Sequence, residues 1–148
     1  MSTITEITDA VVARINSGKY SQDVTAQRLY QPVLELPDGE TLQVSVVPKA
    51  QRVMVLSRTE NAFQIDIDLA VQKKVSKIDD DKTELDGLMA LVQELIDRLR
   101  FEHLMIGAPT PKRTLFQSLT HEPIYSREHL DQLRQFTSVV TVTYQVGR

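Results

Sequence analysis

The sequence has no cysteine and no tryptophan, only five glycines, and four residues each of phenylalanine and tyrosine. Each shortage removes a class of function. Without cysteine there are no disulfides, no thiolate zinc sites and no cysteine nucleophile, and the redox state of the compartment places no constraint on the chain. The lack of tryptophan and the sparse aromatics argue against a stacking platform for single-stranded nucleic acid. The glycines are scattered, so they compose neither a phosphate-cradling loop nor a dinucleotide fingerprint, and no Gly-x-Ser-x-Gly elbow is present. No apolar run approaches the roughly 20 residues that span a bilayer. The opening stretch MSTITEITDAVVARINSG lacks the basic start and continuous apolar core of a secretory signal. A net charge of −3 gives no global basic field toward nucleic acid or an anionic membrane. The expectation is a chain made and kept in the cytoplasm, or assembled there into something larger.

What is present suits one soluble domain over residues 1–148: 41% hydrophobic and 25% charged residues in a chain long enough to bury its own core. The organising stretch is FQIDIDLAVQKKV, Phe63 to Val75. Phe63, Ile65, Ile67, Leu69 and Val71 alternate with Gln64, Asp66, Asp68, Ala70 and Gln72, the period of a strand with one apolar and one wet face. A cover follows at once. From Asp81 to His103 an apolar stripe runs through Leu85, Leu88, Met89, Val92, Leu95, Ile96 and Leu99 at helical spacing, with Asp81 and Glu84 placed to cap its start.

Earlier in the chain, Ile4, Ile7, Val11 and Ile15 predict a first helix, with Thr8, Asp9, Ala13 and Arg14 turned away from that stripe. Thr3 and Glu6 are spaced as a capping box, and Gly18 sits where a left-handed cap belongs. Four strands then follow with short links. One lies in 27–36, edge-like because of Pro32, and Pro37-Asp38-Gly39 turns the chain out of it. The second covers Leu42 to Val47 and stops at Pro48, the third covers Val53 to Arg58, and the Phe63 strand follows the Thr59-Glu60-Asn61 turn. Consecutive strands this close should pair as an antiparallel meander. After Leu104, residues 105–117 hold Gly107, Pro109 and Pro111 without any sustained period, and read as a mobile or partner-ordered loop. A short strand in 118–125, a short helix in 126–134 and a last strand from Phe136 to Val146 close the chain, the last pairing with the Phe63 strand or the one before it. The fold class expected is α+β: a mainly antiparallel sheet of four to six strands, one face covered by two helices.

Chemistry is thin. His103, His121 and His129 share no helix face and no HxH or HExxH spacing, so surface imidazoles outweigh a metal site. Asp66 and Asp68 project from one strand face about 7 Å apart, a spacing that holds a divalent ion when a third carboxylate joins them. Nucleases of that kind add an acid and a lysine two positions apart on a neighbouring strand, and that Glu-x-Lys pairing is absent. A solvated or subunit-facing sheet surface is the stronger reading. Lys112 and Arg113, with Thr114, Leu115 and Phe116, are the contact residues expected of the 105–117 loop. No catalytic residue, cofactor site or metal site is assigned.

The order helix, four strands, long helix, loop, short helix, strand resembles the phage tail-terminator (tail-completion) family. The residues that carry the likeness are Ile65 to Gln72, Glu84-Leu85-Asp86-Gly87-Leu88 through Asp97-Arg98-Leu99, and Phe136 to Val139 through Val142-Thr143-Tyr144. The resemblance implies an α+β subunit with no enzymatic activity and no cofactor. Such a subunit self-associates into a ring that ends the tail tube and meets the head–tail connector. Its partners would be other copies, the tail tube protein and the connector protein, with no membrane and no sequence-specific nucleic acid. Its place would be the virion, after assembly in the bacterial cytoplasm. Gln64, Asp66, Asp68 and Gln72 would then face a neighbouring subunit or a lumen, where an acidic lining would repel DNA phosphates and let a duplex slide. The alternatives are a metal-dependent phage nuclease using Asp66 and Asp68, and an adaptor that binds a partner through the 105–117 loop.

Overall fold

The structure, a computed structural model, describes residues 2–31, 42–55, 57–58, 61–75, 83–100, 102–107 and 112–147, and these form nine elements. In chain order they are α1 (Thr3–Asn16), β1 (Ala26–Arg28), β2 (Gln43–Val55), β3 (Asn61–Lys74), α2 (Thr83–Leu99), β4 (Leu104–Ile106), β5 (Lys112–Thr120), α3 (Arg127–Leu133) and β6 (Gln135–Gly147). The six strands form one sheet in the order β1-β2-β3-β6-β5-β4. All neighbours are antiparallel except β1 and β2, which are parallel. The architecture is therefore the expected α+β, with a sheet of mixed direction.

β3 is the centre. It pairs with β2 from Asn61 to Gln72 and with β6 from Ala62 to Lys74. Its five alternating apolar residues are all buried, alongside Val44 and Val46 of β2 and Val140, Val142, Tyr144 and Val146 of β6. α1 supplies Ile7, Val11 and Ile15 to this core; α2 supplies Leu88, Leu91, Val92, Leu95, Ile96 and Leu99. Each fully buried large aliphatic group of this kind contributes about 1.5–3 kcal/mol through removal from water.

Several local expectations change. Residues 43–55 are one strand, because Pro48 falls at a register shift between Pro48 and Ala50 and interrupts the ladder without ending it. The first strand is Ala26–Arg28 and runs parallel to β2, so the meander begins only at β2. The Pro37-Asp38-Gly39 turn, the Asp81 cap and residues 59–60 lie outside the described residues. The segment expected as a loop is instead largely sheet: β4 and the start of β5 pair, Leu104 with Thr114, Met105 with Arg113 and Ile106 with Lys112. Gly107 takes a left-handed φ of 86° where the chain leaves β4. Cross-strand pairing formed what no local period announced.

The ends of α1 also differ from the expected caps. Ser2, not Thr3, is the N-cap, its hydroxyl accepting from the Thr5 N–H. Thr8 is fully buried, with its hydroxyl donating to the Ile4 carbonyl at 2.7 Å, which is how a threonine enters a helix core without an unpaired polar atom. Gly18 is needed for close approach rather than handedness. A methyl at its Cα would sit 2.6 Å from the Tyr20 hydroxyl and 3.0 Å from Arg98 Nε. Those two groups cap α1 from outside: Tyr20 donates to Ile15 O, and Arg98 of α2 donates to Arg14 O and Ser17 Oγ.

Gly18→Ala should therefore cost on the order of 1–3 kcal/mol, by overpacking and by prising these caps off. Gly87→Ala, where an added methyl meets only Gln22 Nε2 at 3.8 Å, should stabilise by up to about 1 kcal/mol through helix propensity. Urea denaturation of the two variants should move the midpoint in opposite directions.

Candidate functional site

The face of β3 opposite the core carries Gln64, Asp66, Asp68, Ala70 and Gln72. Register brings specific neighbours to them. Asp66 lies beside Ala50 of β2 and Thr143 of β6; Asp68 lies beside Val47 and Thr141; Gln64 lies beside Arg52 and Gln145. The register shift after Pro48 adds Lys49 to the same patch.

The result is a connected polar strip. Arg52 donates both terminal nitrogens to the Asp66 carboxylate, each at 3.1 Å, and its Nε to Gln64 at 3.1 Å. Thr143 donates to Asp66 at 2.7 Å and Thr141 to Asp68 at 2.6 Å, while Lys49 Nζ stands 3.9 Å from Asp68. The two-pronged Arg52–Asp66 pairing fixes geometry as well as charge. Partial burial alone would raise the Asp66 pKa. The hydrogen bonds from Thr143 and Arg52, with the charges of Arg52 and Lys49, outweigh it and hold the carboxyl below its ordinary value. Two acids meet two bases, so the strip is charge-balanced, and the acidic lining expected from the sequence is replaced by a neutral one.

Gln72 is not part of an accessible surface: it is fully buried. It lies beside Thr137 at the end of the sheet where α3 packs. There His129 Nδ1 lies 2.8 Å from Thr137 Oγ1 and Lys74 donates to Leu133 O at 2.7 Å. Of the four residues expected on an interaction face, Gln64, Asp66 and Asp68 share the strip and Gln72 is buried beside Thr137.

The five residues expected as loop contacts also separate. Arg113 is exposed and Leu115 is 37% exposed, whereas Thr114 is fully buried and Phe116 packs edge-on against Tyr144 at 6.3 Å. The Lys112 side chain lies outside the described residues.

The histidines are dispersed. His103 Nδ1 accepts from the Phe116 N–H at 3.0 Å, His121 Nε2 lies 2.7 Å from Ser138 Oγ, and His129 sits with Thr137. Among the described residues no group of three or more His, Asp or Glu is arranged to hold a metal ion. Both Asp66 oxygens already accept hydrogen bonds, so a divalent ion there would have to displace the Arg52 guanidinium. Among the described residues no helix is long and apolar enough to cross a membrane.

Arg52, Lys49, Thr141 and Thr143 complete the strip, and sequence reasoning missed all four. The signal was the alternation of Thr141 and Thr143, which matches Asp66 and Asp68 only once β6 is known to lie antiparallel to β3. No protein-family model and no curated protein matches the chain. Fold and strip define an α+β protein with a charge-paired sheet face.

Two pH limbs follow. Asp66 has a depressed folded pKa, so its stabilisation is present above the unfolded value of about 4 and is lost as pH falls through the folded one. Asp66→Asn should flatten the acid limb of a stability-versus-pH curve below about pH 4. Burial of the Tyr144 phenol raises its pKa well above 10, with only partial relief from Arg14. The unfolded chain then releases that proton first, and stability should fall as pH rises past about 10. Tyr144→Phe should remove that contribution to the alkaline limb, read by circular dichroism across the pH series.

Proposed function

We propose that the protein is a non-enzymatic structural subunit that acts by association, of the kind that ends a phage tail tube and joins it to the head–tail connector. One observation carries the reading. The ionisable groups of the open sheet face are engaged with one another, Asp66 with Arg52 and Thr143, and Asp68 with Thr141 and Lys49. That leaves a polar surface suited to contact and poorly suited to proton transfer or metal binding. The element order that resembles tail terminators supports the same role, with other copies, the tail tube protein and the connector protein as partners. The site of action would be the virion, reached from the bacterial cytoplasm.

The nuclease alternative loses support from the Arg52 clamp on Asp66. An adaptor acting through 105–117 would present paired strand, with Met105, Arg113 and Leu115 exposed on it, in place of a loop that orders on binding.

The test is electron microscopy of purified tail tubes mixed with the protein. The expected result is density confined to tube ends. Gln64→Arg and Gln145→Arg, which place bulk and charge on the open face at facing positions, should abolish that density while leaving the circular dichroism spectrum unchanged. Bare tube ends at saturating wild-type protein would overturn the reading, as would magnesium-dependent cleavage of DNA lost in Asp66→Asn.

A further inference from the structure

The sheet has two outer sides, and they are unequally protected. β1 lies against β2 only at Val44, Ser45 and Val46, and its last contact is the Leu29 N–H to Val46 O bond at 3.0 Å. Beyond that point, from Lys49 to Val53 and again at Val55, β2 is exposed, with Val53 at 62% and Val55 at 76%. No described strand lies beside this stretch.

Backbone direction follows from register. Val46 turns its carbonyl outward to β1, so its β3 partner Leu69 occupies a non-bonded position, and the bonded positions of β3 toward β2 are Asp68, Asp66, Gln64 and Ala62. Their β2 partners are Val47, Ala50, Arg52 and Met54. The residues between them, Gln51, Val53 and Val55, therefore direct their N–H and C=O groups away from the sheet. Among the described residues nothing takes these groups, which leaves a hydrogen-bonding edge with two exposed valines on it.

The opposite side is blunted. The outward N–H of Phe116 is taken by His103, and β5 carries its own register shift between Phe116 and Ser118.

From this edge we infer that two copies pair through β2 about a twofold axis at Val53, joining their sheets into one. The edge is self-complementary. When antiparallel, Val53 faces the partner's Val53, and Gln51 faces the partner's Val55 on either side. These three facing pairs are all of the hydrogen-bonded type and together form about six backbone bonds. On one face Val53 covers the partner's Val53, and Val55 lies against the partner's Gln51. On the other face Arg52 meets the partner's Met54 rather than a cation, and its charge is already paired with Asp66. β1 ends opposite Val46, so the incoming strand meets no described strand from Lys49 onward. Isologous pairs of this sort are the commonest form of self-association. The pair is closed, so any larger assembly grows through other surfaces, and the inference does not rest on the tail role.

Light scattering behind size exclusion, over a concentration series of the full chain, should give a dimer that dissociates on dilution. Val53→Pro removes an N–H that points away from β3, and should raise the dimer dissociation constant at least about tenfold with the β3 ladder intact. Because the chain has no cysteine, Val53→Cys reports the axis directly. Under mild oxidation it should form a symmetric disulfide much faster than Glu128→Cys, a cysteine placed on the exposed side of α3. A monomer at every concentration with equal crosslinking at both positions would overturn the pairing. So would an assembly larger than two that is unaffected by Val53→Pro. A dimer that leaves tail tubes bare would keep this inference and remove only the tail role.

Discussion

Every other element takes its position from β3 being paired along nearly its whole length on both sides. That constraint puts five apolar side chains in register with those of β2 and β6 on one face, and it aligns Asp66 and Asp68 with hydroxyls and bases on the other. A strand paired on one side only would leave its second row of backbone groups for water. Here β2 closes one side immediately in sequence, and β6 arrives from the far end of the chain to close the other. The last strand is thus as central to the sheet as the first hairpin.

The two faces then follow different rules. Under α1 and α2 the core is apolar, with the Thr8 hydroxyl turned onto its own helix. On the opposite face, charge is kept by pairing: Asp66 would be costly half-buried and alone, and Thr143, Arg52 and Lys49 together make its ionised form the favourable one. The guanidinium and the hydroxyl occupy three acceptor positions of the Asp66 carboxylate, so neighbours on the sheet fix both its charge and its orientation.

The helices are tied to each other as well as to the sheet. Arg98 reaches from α2 to the end of α1, and Glu94 accepts from the Ser21 backbone and hydroxyl just beyond it. These bonds sit at the surface and are individually modest. Their value is orientation: they set α1 relative to α2 so that Ile7, Val11 and Ile15 meet the sheet rather than solvent.

The sequence by itself determined the strand at 63–71, the long amphipathic helix, the short helix near 130 and the α+β class, because each rests on a period that repeats within one element. It also placed Asp66 and Asp68 side by side, since alternation along a strand requires no partner. The tertiary structure alone decided the rest. Only pairing shows that Arg52 and Thr143 meet Asp66, that Gln72 is buried beside Thr137, and that residues 112–116 are strand with Thr114 turned inward. Pro48 and the loop-like composition of 105–117 misled for one reason: a ladder supplied by a neighbouring strand outweighs weak local preference, and that partner lies outside the few residues in which a period is read.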